Sequence, residues 1–281
     1  MRIPRSALAA VIGMALIAPG AVAADAPIMV PVSGKTLTLS LPEKTCQYDR
    51  KEKADVKVLD ALEKSDPRNQ LLLAFMDCDN LKAVRGVKGA VIQPAYYGQI
   101  QSNIAGQAIA DKYTREAYVA AIAGQYGKEP PEAVLARGEQ TLKAMFSSRI
   151  DTGQTQTIGI IKRDKDFIQI GVIGSAPVPT PPLPLGVAPP PPAMQKIINV
   201  ITLTKLGVPV AITLAHPATP DMTLQGLSDR AELYARQLIS LNPENAPTIL
   251  SKSLDWWSMA VGALGGMLFT IIFGMLFKRR S

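Results

Sequence analysis

The chain has little of what most catalytic and metal sites are built from. It holds one histidine, His216, so a histidine-rich metal site is excluded. It holds two cysteines, Cys46 and Cys78, and no C-x-x-C spacing. G-x-S-x-G, the P-loop, G-x-G-x-x-G and H-E-x-x-H are all absent. There is no N-x-S/T glycosylation sequon. Net charge is +7, but Arg2, Arg5, Lys278, Arg279 and Arg280 lie in the two apolar ends, and the remaining cations are interleaved with acids, as in Asp49-Arg50-Lys51-Glu52-Lys53. That pattern describes a solvated face and argues against a nucleic-acid partner. Carboxylate or lysine chemistry stays open, because any fold can host a site.

What is present is an address. Residues 256–277, Trp256 to Phe277, run without a charge and are followed by Lys278-Arg279-Arg280. As a helix this run reaches about 33 Å, enough to cross the roughly 30 Å apolar core of a bilayer. The trailing cations place the C-terminus in the cytoplasm, and Trp256 and Trp257 suit the opposite interface. Residues 1–23 read as a signal peptide: Arg2 and Arg5, an apolar Ala7–Ala18, and an Ala21-Val22-Ala23 cleavage site. The two arginines are not adjacent, which favours general secretion over twin-arginine export. The expected topology is a bacterial inner-membrane protein with residues 24–242 in the periplasm, a linker over 243–255, a span over 256–277 and a tail over 278–281. Ser258, Gly262, Gly266, Thr270 and Gly274 recur every four residues through the span, and Gly262 and Gly266 form G-x-x-x-G. Such a stripe favours close packing on another helix, in a homodimer or on another membrane protein; a plain tether is the alternative.

In the exported part, strands are expected at Thr36–Leu41, Leu71–Met76 (central), Ala90–Tyr96, Thr155–Lys162 and Asp166–Ile173, with a hairpin of Lys196–Lys205 and Val208–Leu214 turning at Leu206-Gly207. Pro209 suits a strand start or an edge. Helices are expected at Asp55–Glu63 and at Gly106–Ala123, the latter with Ile109, Tyr113, Ala117, Ala120 and Ala121 as its apolar stripe. A third opens at Glu129-Pro130-Pro131-Glu132 and buries Leu135, Leu142, Met145 and Phe146. A last helix starts near Thr219-Pro220-Asp221, carries Leu224, Leu227, Ala231, Tyr234, Ala235 and Leu238 on one side, and stops at Asn242-Pro243. The proline-rich stretch 175–193 reads as a stiff loop inserted between neighbouring strands of one domain; its P-x-x-P offers a docking alternative. The fold class is α+β, an antiparallel sheet covered by helices, plus one C-terminal transmembrane helix.

Cys46 and Cys78 are expected to form a structural disulfide in an oxidising compartment, with a redox or metal pair as the alternative. Asp77 and Asp79 flank Cys78 and read as solvent-facing residues at a strand end rather than ligands. His216 reads as structural or exposed, and the tyrosines Tyr96, Tyr97, Tyr113 and Tyr118 as packing rather than a ligand groove. The order of elements, with Val200-Ile201-Thr202-Leu203-Thr204 and Val210-Ala211-Ile212-Thr213-Leu214 in the last hairpin, resembles the PsbP-type α/β sandwich over 35–242. The helices at 106–147 and the proline loop depart from that pattern, and no functional motif of the family is matched. The resemblance implies an accessory or assembly role. The functional expectation is a non-catalytic interaction or assembly factor of the cell envelope, needing the bilayer and no cofactor. A periplasmic sensor acting through the span, or an unrecognised hydrolase, are the alternatives.

Overall fold

A computed structural model of the chain describes residues 26–103, 113–126, 128–147, 155–177 and 194–244. They form an α+β domain on an antiparallel sheet. In chain order the elements are β1 (Ile28–Val32), β2 (Lys35–Leu39), β3 (Thr45–Gln47), α1 (Lys53–Ser65), β4 (Asn69–Asp77), α2 (Cys78–Val84) and β5 (Tyr97–Asn103). They continue as α3 (Arg115–Ala123), α4 (Pro131–Ser147), β6 (Gln156–Arg163), β7 (Phe167–Pro177), β8 (Met194–Lys205), β9 (Pro209–Pro217) and α5 (Leu224–Leu241). Seven strands pair in the order β3-β4-β5-β9-β8-β7-β6, all antiparallel, and β1-β2 form a separate hairpin.

Alternation along the strands sorts side chains onto two faces. On the first, Phe75, Ile100, Ile212, Leu214, Ile198 and Val200 meet the buried stripe of α5, with the β1-β2 hairpin and α4 closing the sides. That stripe is the expected one: Leu224, Leu227, Ala231, Tyr234, Ala235 and Leu238 are all buried. The helix itself begins later than expected, because the Thr223 hydroxyl, not Thr219, caps it by accepting from the Gly226 N–H at 3.0 Å. Phe75 packs edge-on to Tyr234 at 5.7 Å and lies opposite Gly98 in the β4-β5 register. A Cβ at Gly98 would sit 2.8 Å from the Phe75 ring and 2.2 Å from the Thr213 carbonyl, so only glycine fits under that ring.

The second face is covered in two patches. α1 and α2 pack Val58, Leu59, Leu62 and Leu81 onto Ala74, Met76, Tyr97 and Ala215. α3 packs Tyr118, Val119 and Ile122 onto Ile168, Ile170, Val172 and Ile201.

Several expectations are corrected. The strand placed at Ala90–Tyr96 lies one step later, at β5; Pro94 cannot donate to a ladder, whereas Tyr97–Asn103 pairs on both sides. Of the helix expected over Gly106–Ala123, residues 104–112 lie outside the described residues; within them a helix opens at Arg115, where the Thr114 side chain caps it by accepting from the Ala117 N–H. Its buried side is Tyr118, Val119, Ile122 and Ala123, while Ala117 and Ala120 are exposed. β4 is not central but next to the edge, since only three-residue β3 lies beyond it. Asp77 and Asp79 do lie at a strand end, the end of β4, with Asp79 exposed as expected; beyond that reading, Asp77 caps α2, accepting from the Asp79 and Asn80 N–H groups at 3.0 and 3.1 Å. β1, β3 and α2 went unread in the sequence. For β1 the signal was Ser33-Gly34, a two-residue turn with φ of 47° and 76°, the geometry of a hairpin turn. Pro209 is the first residue of β9, a strand start in the middle of the sheet.

Candidate functional site

The strands run between two poles. At one lie the turns β1-β2, β6-β7 and β8-β9 and the C-terminal end of α5. At the other lie the end of β4, the start of β5 and the ends of β7 and β9. The nine residues of β9 put these poles about 30 Å apart. Each pole carries a distinct construction, and a polar seam lies between them.

The first pole is where the described chain leaves the domain, and a buried charge cluster holds it there. Arg115, 8% exposed, opens α3 and donates from Nε to the Lys205 carbonyl at 2.8 Å and from Nη2 to the Asn242 carbonyl at 3.1 Å. Its backbone N–H donates to Glu244 Oε1 at 2.7 Å, and its guanidinium lies 3.7 Å from Asp166. Lys205, also buried, donates to the same Glu244 oxygen at 2.9 Å and to the Tyr113 carbonyl at 2.5 Å. Asn242 closes α5 and grips β2: its Oδ1 accepts from the Thr38 N–H at 2.9 Å and its Nδ2 donates to the Thr38 carbonyl at 2.7 Å. Charge-assisted contacts thereby join α3, β8, the β6-β7 turn and the end of α5 at the exit, and the neutral Asn242 amide adds β2.

Beside this cluster an outer network runs from Lys162 to Glu232 and Asp229, and from Arg236 to Glu232 and Asp164. The Lys162 ammonium holds the Glu232 carboxyl below its usual range. Burial tends to raise Asp164 and Glu244, but Arg236 and backbone N–H groups outweigh it at Asp164, as the Arg115 N–H and Lys205 do at Glu244, so both end lowered.

The second pole carries the disulfide and an apolar loop. Cys46 in β3 and Cys78 at the start of α2 are bonded, with Cα atoms 4.8 Å apart. After α2 the chain enters a loop that exposes Val87, Val91 and Ile92, at 51%, 68% and 41%. Buried Asn80 holds this loop as a strand partner would. Its Nδ2 donates to the Gln93 carbonyl at 2.7 Å, and its Oδ1 accepts from the Gln93 N–H at 2.8 Å. Beyond it the Asp77 N–H donates to the Tyr96 carbonyl.

His216 is also here, its ring tilted against Tyr96 with centroids 4.7 Å apart, and the Arg230 guanidinium lies 4.0 Å from the centroid of the same tyrosine ring. Its Nδ1 lies 2.6 Å from the Pro217 carbonyl, which can only accept, so Nδ1 carries the proton and donates. Burial lowers its pKa, outweighing that carbonyl. Of the two expectations for this histidine, structural or exposed, its 6% exposure agrees with the first.

Acid stability follows from these shifts. A base whose folded pKa is lowered binds its proton first in the unfolded chain. Stability therefore falls as pH drops through about 6.5, the ordinary histidine value, and levels off below the folded pKa. Asp164, Glu232 and Glu244, whose folded values are also lowered, contribute stability that is present above their ordinary 3.8–4.5 and lost as pH falls through the folded values. A urea midpoint measured against pH should decline in two steps, and His216→Gln should remove the upper step only; a single step unchanged by that substitution would contradict the assignment.

Between the poles, Gln99, Gln101, Asn199 and Thr213 form a polar seam on the second face, between the α1-α2 patch and α3. All four are 4% exposed or less, and Oε1, Oε1, Oδ1 and Oγ1 respectively find no hydrogen-bond partner among the described residues. A buried hydroxyl without a partner costs about 1–3 kcal/mol. Thr213→Val, which keeps the shape, should therefore raise unfolding stability by about 1 kcal/mol; a loss of that size would show that the hydroxyl is satisfied in solution.

Among the described residues no three His, Cys, Asp or Glu side chains converge as a metal site. Of the tyrosines, Tyr97, Tyr113 and Tyr118 are buried. Side chains of Met145 and Phe146, residues 178–193 of the proline-rich stretch, and the run 256–277 with Ser258, Gly262, Gly266, Thr270 and Gly274 lie outside the described residues; within them, no helix is long and apolar enough to cross a membrane. β7 and β8, which flank the proline-rich stretch, pair along their full length to Pro177 and Met194. Comparison with protein-family models, curated proteins and solved structures found no match. Sequence reading missed the Arg115 cluster and the Asn80 clamp. Asn80 offered no signal, and Arg115 only that a cation followed the Thr114 cap.

Proposed function

We propose that this chain is a membrane-anchored periplasmic protein of the bacterial envelope that binds or positions a partner, without catalysis of its own. The observation that carries the reading is the clamped loop at the second pole. An exposed apolar segment costs solubility, and one held rigid by a buried side chain is preorganised, so little freedom is lost when a partner covers it. Val91 and Ile92 are thus the contact residues. The exit cluster supports the same reading. It fixes how the domain leaves toward residues 256–277, proposed as the span, and so directs the loop away from the bilayer. The disulfide suits an oxidising compartment. The resemblance of the order of elements to the PsbP-type sandwich supports an accessory role as well.

The test is chemical cross-linking of the full chain in native membranes, followed by identification of the captured proteins. Envelope proteins should be recovered with the native chain. Val91→Asp with Ile92→Asp should reduce recovery at least tenfold, since two charges would face an apolar contact, while leaving the urea midpoint unchanged. Equal recovery with this variant, or repeated recovery of no envelope protein, would overturn the reading.

A further inference from the structure

Resting on the membrane-anchored reading, we propose that the exit pole of the domain seats on anionic lipid headgroups through Arg163 and Lys165. These two residues flank Asp164 in the β6-β7 turn and are exposed. With Asp164, Glu116, Val119 and Ala120 they line an open hollow of about 320 Å³ between the turn and α3, at the small end of the range that ligand sites occupy.

Charge bookkeeping at this pole singles them out. Lys162, Arg236, Arg115 and Lys205 each face a carboxylate. Asp164, the anion between the two residues, is engaged by Arg236 at 2.6 Å. Among the described residues neither Arg163 nor Lys165 has such a partner. Glu116 is the one opposing charge on the hollow's rim that no cation neutralises among the described residues. The hollow therefore presents a forked guanidinium and a mobile ammonium, the pair of groups that suits a phosphate oxygen cluster.

Position supplies the occupant. Asp166 of the same turn touches Arg115, which holds the Asn242 carbonyl, and Arg236 ties Asp164 to the last turns of α5. The hollow thus lies beside the point where the chain departs. Only residues 245–255 separate that point from Trp256. Chain geometry holds any stretch of this length to about 40 Å even fully extended. Headgroups are then present at the high effective concentration of a tethered partner, and a weak contact suffices to be populated. Each basic group within a Debye length of an anionic surface raises occupancy about fivefold, and the paired cations of this pole contribute little.

The experiment uses the full chain in lipid nanodiscs, either of phosphatidylcholine alone or of phosphatidylcholine mixed with phosphatidylglycerol. Amide hydrogen exchange is followed at Arg163–Asp166 and in the first turns of α3. The expected result is exchange slowed about fivefold or more in the anionic discs, reversed by high salt. Arg163→Glu with Lys165→Glu should abolish the slowing. Glu116→Lys should strengthen it, which separates the effect from a folding defect. Equal exchange in the two lipids, or slowing that survives the double charge reversal, would overturn the proposal. So would the same slowing in neutral discs on adding inorganic phosphate, which would make the site one for a soluble anion. Protection seen in native membranes but absent from anionic discs would assign the surface to a protein instead. A chain that enters neither kind of disc would overturn the anchored reading and this one with it, whereas a chain that enters both without lipid dependence overturns this one alone.

Discussion

Replacing Arg115 by methionine is expected to destabilise the domain by about 3–5 kcal/mol, the range for removing one partner of a buried charge cluster. Methionine keeps much of the aliphatic bulk, so the cost is electrostatic. Left behind are the Lys205 and Asn242 carbonyls, each having lost a guanidinium donor, and Asp166 without its cation. Glu244 keeps Lys205 and the residue 115 N–H, so the exit should loosen without coming free. Arg115→Lys should recover only part of the loss, because a single ammonium cannot span the two carbonyls that the guanidinium bridges. Urea unfolding gives the total. Hydrogen exchange at residues 239–242 gives its location, and protection there should fall more than at β8. A loss under about 1 kcal/mol, or one spread evenly over the sheet, would mean that the cluster is ornament and that packing of α5 alone fixes the exit.

Loss of the Cys46–Cys78 bond should cost a similar amount. The bond closes a loop with a sequence separation of 32 residues. Chain-entropy reasoning gives it about 3.7 kcal/mol, and for a domain of this size that lowers the melting temperature by roughly 7–15 °C. The loop it closes contains α1 and all of β4, so the bond restrains elements that already pair: Cys46 lies opposite Met76, and the Cys78 N–H donates to the Lys44 carbonyl. Cys46→Ser with Cys78→Ser, and the native chain melted with and without reductant, should agree. If the two agree on a shift of only a degree or two, the reduced chain retains the β3-β4 contact in its unfolded ensemble and the entropic argument fails for this loop. Because the bond ends at the first residue of α2, its loss should also loosen the Asn80 clamp, and with it the presentation of Val91 and Ile92.

How much was legible depends on where the information resides. α5 was read residue by residue along its buried stripe, because a helix with one wet side writes a 3.6-residue period into the sequence. β7, β8 and β9 were read for the same kind of reason. Their runs of β-branched residues, such as Ile197-Ile198 and Val200-Ile201, bury both faces. β5 was not read. Tyr97-Gly98-Gln99-Ile100-Gln101-Ser102 has a glycine and three polar residues, Gln99, Gln101 and Ser102, and lacks a strand's apolar run. It is central all the same, since Gly98 makes room for Phe75 and the glutamines lie in the buried seam. α3 was assigned the wrong buried side because its alanines carry little contrast, and packing rather than propensity chose Tyr118, Val119 and Ile122.

Of the two constructions proposed to matter, the sequence by itself determined the chemistry available: two cysteines for one bond, an uncharged run after the last helix, the apolar Val91-Ile92, which reads there as part of a strand, and a basic turn at Arg163 and Lys165. Only the tertiary structure decided their arrangement. β5 pairs with β9, and this brings the first half of the chain against the last. Through that pairing Arg115 reaches residues 90 and 127 positions away, and Thr38 reaches Asn242 across 204. Periodicity reports which way a side chain faces along its own element. It carries no record of which distant backbone carbonyl will be waiting there, because that is settled by strand order and packing.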